Sequence, residues 1–180
     1  RTPMNGIIGY SEMLIEDAEE EGLDEFEADL QKICSSGKHL LGLINEILDL
    51  SKIEAGKMEI FLKSFDIAKL VKDVEETIHP MAEKRSNKLL IDCSDNIGFM
   101  EADETRVRQM LHNLLSNACK FTDKGTVTLK VTRITVEGID WVRFDIIDTG
   151  MGIPSESIKH LFHEFSQIDN SSTREFGGTG

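Results

Sequence analysis

The stretch that most constrains this chain is residues 103–121, DETRVRQMLHNLLSNACKF. Val107, Met110, Leu111, Leu114 and Ala118 recur at three- and four-residue steps, the spacing of one apolar helical face. Arg106, Gln109, Asn113, Asn117 and Lys120 gather on another face of the same helix. Asp103 stands where an N-cap carboxylate accepts a free amide of the first turn. The apolar face demands a core to pack against. The polar face is unusual, because Asn gains little on a solvated helix and competes for the backbone. Two Asn one turn apart, with a Lys one turn further on, predict something polar lying along this face.

The rest of the chain supplies that core and one separate layer. Residues 1–20 read as a helix, with Ile7, Ile8, Leu14 and Ile15 repeating at seven, Pro3 beginning or kinking it and an acidic run closing it at Gly22. Residues 24–55 read as a longer helix. Its Phe26, Leu30, Ile33, Gly37, Leu40, Ile44 and Ile47 alternate steps of four and three, a mean of 3.5 that belongs to a supercoiled bundle. Two such helices cannot bury their seams alone. The expectation is a four-helix bundle made by dimerisation through residues 1–55, the alternative being packing of the hairpin on the rest of its own chain.

Composition shifts near residue 57, which places the domain boundary there: 1–57 and 58–180. MEIFLKSFD (58–66) alternates like a strand, and 66–85 forms an amphipathic helix interrupted near its end by Pro80. KLLIDC (88–93) reads as a strand, and IGFMEAD (97–103) leads into the opening helix. TVTLKVTRIT (126–135) and WVRFDIID (141–148) alternate, with Glu137-Gly138 between them as a hairpin signal. The fold class is therefore α+β: a helical hairpin, then an α/β sandwich with a largely antiparallel sheet and helices on one face. After Asp148 come Gly150, Gly152, a short helical segment (155–165), a polar loop, and FGGTG (176–180), a pattern suited to a mobile lid over a phosphate-bearing ligand.

Charge and cysteine usage exclude several classes. A net charge of −13 argues against nucleic acid and anionic membrane surfaces as partners. No apolar run approaches the roughly 18–20 residues that span a bilayer. The three cysteines, Cys34, Cys93 and Cys119, have no short paired spacing and read as reduced, buried side chains. His160 and His163 sit at helical spacing without acidic or cysteine company, so no metal site is expected there. The chain starts at Arg1 without a Met, and is expected to be a piece of a longer protein. A cytoplasmic location is expected, any membrane anchor lying upstream.

The polar residues suggest nucleotide chemistry. Neutral oxygen ligands such as the Asn113 and Asn117 carboxamides suit a Mg²⁺ held mainly by phosphates. Lys120 can meet a phosphate as a point charge. Asp148, at a strand end before two glycines, can accept from an exocyclic amine such as that of adenine, or can close an Asx-turn. Gly177, Gly178 and Gly180 can offer backbone N–H groups to phosphate. Neither a P-loop nor a dinucleotide fingerprint is present.

These stretches together resemble a known family. RTPMNGIIGYSEML resembles the end of the H box of sensor histidine kinases, NLLSNACKFT (113–122) their N box, and DTGMGIP (148–154) their G1 box. LFHEF (161–165) resembles the F box and FGGTG the start of the G2 box, all in the family's order and covering nearly the whole chain. The resemblance implies a dimerisation and histidine-phosphotransfer hairpin joined to an ATP-binding domain of the Bergerat type, also called GHKL. It implies ATP and Mg²⁺ as cofactors, with Asn117 as the Mg²⁺ ligand, Asn113 beside it and Lys120 on phosphate. Asp148 would read adenine, with Gly150 and Gly152 shaping its pocket. Phe162 and Phe165 would anchor the lid, and Gly177, Gly178, Thr179 and Gly180 would lie at the phosphates. Thr2 matches a position that helps the reverse, phosphatase reaction. The implied partners are a second copy of the chain and a response regulator receiver domain. The H box pattern runs His-Glu-x-Arg-Thr-Pro, so the implied phosphoacceptor lies three residues before Arg1. The G2 box pattern continues past Gly180, so the domain's last strand and helix are expected beyond it.

Two rival functions keep the same fold. ATP-hydrolysing relatives of the gyrase and heat-shock-ninety group carry a Glu one turn before the metal Asn as general base. Here that position is Asn113, which cannot take a proton. A non-catalytic signalling scaffold would lack nucleotide binding or the phosphoacceptor, and the nucleotide positions here match their motifs.

Overall fold

The computed structural model describes residues 2–158, in two compact units, the first ending at Glu59 and the second beginning at Ile60. The first unit is a helical hairpin of α1 (Thr2–Glu21) and α2 (Asp24–Glu54). Gly22, at φ +68°, makes the reversal that a Cβ would strain. Ile8, Ser11 and Ala18 of α1 are buried, as are Cys34 and Gly37 of α2. A Cβ on Gly37 would stand 3.1 Å from Ile8 Cγ1, so this glycine sets how closely the helices approach. Beside it, Glu12 accepts from Lys38 at 2.7 Å.

The predicted seam of α2 divides in two. Gly37 is buried and Leu30 and Ile44 are half-buried, but Phe26, Ile33, Leu40 and Ile47 remain 67, 50, 47 and 55% exposed. These four recur every seven residues, so they form one stripe that α1 does not cover. Ile7 and Leu14 of α1, also seven apart, are exposed too.

The second unit holds β1 (Lys63–Asp66), α3 (Ile67–Glu83), β2 (Lys88–Cys93), β3 (Phe99–Ala102), α4 (Glu104–Phe121), β4 (Thr126–Val136), β5 (Ile139–Asp148) and the short α5 (Ser155–Ile158). β1 pairs antiparallel with β3; β2 lies parallel to β4, and β4 antiparallel to β5. Alternation explains the layering: Val127, Leu129 and Val131 point inward from β4 onto Leu70, Val74 and Ile78 of α3 and Leu111 and Leu115 of α4, all one buried cluster. Asp66 and Asp103 cap α3 and α4, accepting from Lys69 N at 3.0 Å and Arg106 N at 3.2 Å. Between β4 and β5, Glu137 and Gly138 take φ of 53° and 80°, the left-handed pair of a tight hairpin.

Four expectations need correction. The buried face of α4 is Val107, Leu111, Leu115, Ala118 and Cys119, whereas Met110 and Leu114 are 57 and 54% exposed. The core lies further round the helix than the simple three-four pattern indicated. Pro80 does not interrupt α3, which continues to Glu83. The bond it removes belongs to the carbonyl of Glu76, an exposed residue, so the missing amide leaves no buried acceptor unpaired. The strand expected over 58–66 forms only at Lys63–Asp66, because that segment alone finds a partner, β3; Ile60, Phe61 and Leu62 stay exposed. The pairing is less antiparallel than expected, since β2 and β4 run parallel.

Among the described residues no helix is long and apolar enough to cross a membrane. Phe162, Phe165, Gly177, Gly178, Thr179 and Gly180, the histidines His160 and His163, and the rest of the 155–165 segment lie outside the described residues.

Candidate functional site

α4 presents Asn113 and Asn117 to solvent one turn apart, with Lys120 half-buried one turn further on. Its inward side is held by the core, where burial pushes the Cys119 thiol up and keeps it neutral near pH 7. Arg108 ties α4 to α3, reaching Glu104 at 2.8 Å and Asp73 at 3.0 Å, and these carboxylates, Glu104 foremost, raise its affinity for its proton. The helix is thus fixed in rotation with its carboxamides outward.

Asp148 ends β5 opposite Val127. Its Oδ1 accepts from Gly150 N at 2.8 Å, an Asx-turn that throws the chain across the end of α4. Thr149 secures the crossing: its amide donates to Thr126 O at 3.1 Å and its Oγ1 accepts from Thr126 N at 2.9 Å. Met151 N then donates to Phe121 O, the last carbonyl of α4, at 3.3 Å. A Cβ on Gly150 would stand 2.3 Å from that same oxygen, so the loop approaches α4 as no other residue would allow. Gly152, at φ +68°, turns the chain away.

The result is a cleft of about 310 Å³ lined by Lys120, Phe121, Thr122, Thr149 and Gly150, with Arg85 entering from the α3–β2 turn. Lys120 Nζ lies 5.1 Å from the Phe121 ring centroid, a cation–π distance. Thr122 is 1% exposed, and its hydroxyl has no hydrogen-bond partner among the described residues. Two cationic side chains and a glycine backbone give this cleft a lining that suits a polar, anionic ligand.

Of the residues singled out in the sequence, Lys120 and Gly150 share this cleft, Asp148 forms the turn at its edge, and Asn113 and Asn117 continue from it along α4. Gly152 follows the cleft, and Thr2 lies exposed at the start of α1, in the other unit. Arg85, Thr122, Thr149 and Asn87 were missed. Asn87 is buried, and its Nδ2 donates to Cys119 O at 3.1 Å and Thr122 O at 2.8 Å while its Oδ1 accepts from Gly125 N at 3.0 Å. No signal in the sequence marks it, since an Asn before a strand reads as an ordinary turn residue.

An α/β layer carrying this Asn-bearing helix beside an Asx-turn and glycine loop is the arrangement of a nucleotide-binding class. Residues 102–180 match the family model of the histidine kinase-, DNA gyrase B-, and HSP90-like ATPase, and residues 1–56 that of the His Kinase A (phospho-acceptor) domain. The chain belongs to the sensor histidine kinases. It is 42% identical over its whole length to the circadian input-output histidine kinase CikA of Synechococcus elongatus, covering 24% of that protein. It is 33% identical over its whole length to the autoinducer 2 sensor kinase/phosphatase LuxQ of Vibrio cholerae, covering 21%. The chain therefore spans a quarter or less of these curated relatives. Among solved structures, full-length ShkA in complex with AMPPNP aligns with a TM-score of 0.74 at 32% identity, over 96% of this chain and 36% of that one.

Proposed function

We propose that this chain is the kinase core of a two-component sensor. It binds Mg-ATP, takes part in transfer of the γ-phosphoryl group to a histidine, and passes it to an aspartate of a response regulator receiver domain. The observation that carries this is the convergence of the Asn113–Asn117–Lys120 face and the Asp148–Gly150 turn on the end of α4. The AMPPNP bound by ShkA supports a nucleotide as the occupant.

Each residue then has a physical task. The free oxygen of Asp148 accepts from the adenine amine, while Gly150 and Gly152 let the base approach backbone. Lys120 neutralises phosphate charge. Asn117, with Asn113 beside it, would hold Mg²⁺ through carboxamide oxygen; bound Mg²⁺ supplies charge neutralisation across the phosphates. Phe162 and Phe165 would anchor the lid, and Gly177, Gly178, Thr179 and Gly180 would meet phosphate from it. Thr2 is assigned to the phosphatase reaction. In-line phosphoryl transfer asks mainly for positioning, and a neutral imidazole near pH 7 is already a nucleophile.

The hairpin over residues 1–55 would dimerise as a four-helix bundle. The exposed stripe of Phe26, Ile33, Leu40 and Ile47 supports this, because a second hairpin is the partner that matches its seven-residue period. Residues 1–57 and 58–180 act as phosphotransfer and catalytic domains, in the cytoplasm. The test is incubation of the whole kinase with γ-labelled ATP. Label that survives alkali and is lost in acid, and that moves to a receiver domain, is expected. Bound ATP without label would favour a scaffold, and steady phosphate release without label an ATPase.

A further inference from the structure

We infer that Asn87 is a positioning residue for the nucleotide: it clamps the C-terminal end of α4, and so holds Lys120 and the Phe121–Gly150 contact in register. This rests on the nucleotide reading of the cleft. α4 ends at Thr122 in extended conformation (φ −110°, ψ 134°), without the left-handed glycine that commonly satisfies a helix's last carbonyls. Asn87 takes over that task from 32 residues away, donating to Cys119 O and Thr122 O, the carbonyls that bracket Lys120 and Phe121.

The same carboxamide accepts from Gly125 N, so the helix end is joined to the start of β4. Lys88 N to Gly125 O at 2.8 Å and Lys124 N to Arg85 O at 3.1 Å flank the clamp. Asn87 is only 8% exposed, so a carbonyl left unmet beside it would be costly. No other side chain of this length offers two donors and one acceptor: Asp has no donor when ionised, and Gln is one methylene longer. From Cys119 the displacement reaches the cleft at once, since Lys120 lines it and Phe121 O receives Met151 N. Asn113 and Asn117 lie two turns and one turn back along the helix from Lys120, where the core fixes it independently.

The test is a calorimetric titration of ADP with Mg²⁺ into the whole kinase and its Asn87→Ala and Asn87→Asp variants, each held well below its own melting temperature. Loss of the clamp raises the Kd for ADP by about ten-fold or more at unchanged stoichiometry. A residue that merely supports the fold would reduce the stoichiometry and leave Kd alone. Asn87→Asp, nearly isosteric, keeps the acceptor for Gly125 N and loses both donors, so it gives the same rise and carries the test should Asn87→Ala not fold. A folded variant with the parent's Kd would overturn the inference, as would unfolding of both variants. Failure of the parent kinase to bind ADP would instead overturn the nucleotide reading, and this inference with it.

Discussion

One oxygen of Asp148 is committed to Gly150 N, which separates its structural task from any ligand task. Asp148→Asn keeps an acceptor for the turn and loses the charge, so the melting temperature should hold while ATP-over-GTP preference falls by about ten-fold, one hydrogen bond's worth. Competition titration with the two nucleotides checks this. Gly150→Ala places a carbon 2.3 Å from Phe121 O and should cost about 1–3 kcal/mol in denaturant unfolding, because backbone must move. Asp103 gives a pH signature. The amide of Phe61, then that of Arg106, holds its carboxyl below the ordinary 3.8. The folded pKa is depressed, so the stability it adds is full above that ordinary value and is lost as pH falls through the lowered one. The stability gap between the parent and Asp103→Asn should therefore close on acidification below about pH 4; urea titrations across pH 2–6 would show it. Asp103 was legible because capping is local, whereas Asn87, whose partners lie 32, 35 and 38 residues away, was not.

At the scale of elements, the helices were legible in existence and type because periodicity is local, and α1, α2 and α4 fall close to where spacing placed them. What the pattern left open was rotation. The three-four rule assigned Met110 and Leu114 inward, but the core took Leu115 and Cys119 instead, since α4 packs on both α3 and the sheet. Strand β3 and the parallel β2–β4 pair were invisible for the same reason: each exists through a partner distant in sequence. Gly37 shows the converse, a seam position whose small size became meaningful only beside Ile8. Gly37→Leu should force α1 from α2 and destabilise the isolated hairpin by about 1–3 kcal/mol, read by thermal unfolding of residues 1–59.

The chain forms two compact units, and the buried cluster of α3, α4 and the sheet lies wholly in the second. If the stripe of Phe26, Ile33, Leu40 and Ile47 is the dimer seam, Ile33→Glu with Leu40→Glu should give a monomer in sedimentation equilibrium. The Kd for ADP should stay within about two-fold, because the cleft residues all belong to the second unit. The candidate site was legible as a set of short motifs and illegible as a shape: Arg85 and Thr122 join it only through the α3–β2 turn and the end of α4.

On the proposed function, the Asn face of α4 would hold Mg²⁺ through nucleotide phosphates. The measurement that decides this is ADP affinity with and without Mg²⁺, for the whole kinase and its Asn117→Asp variant. The expected result is one ADP per protomer, bound more tightly with Mg²⁺, and a loss of that Mg²⁺ enhancement in Asn117→Asp. Equal affinity in the two proteins, with the same response to Mg²⁺, would contradict it.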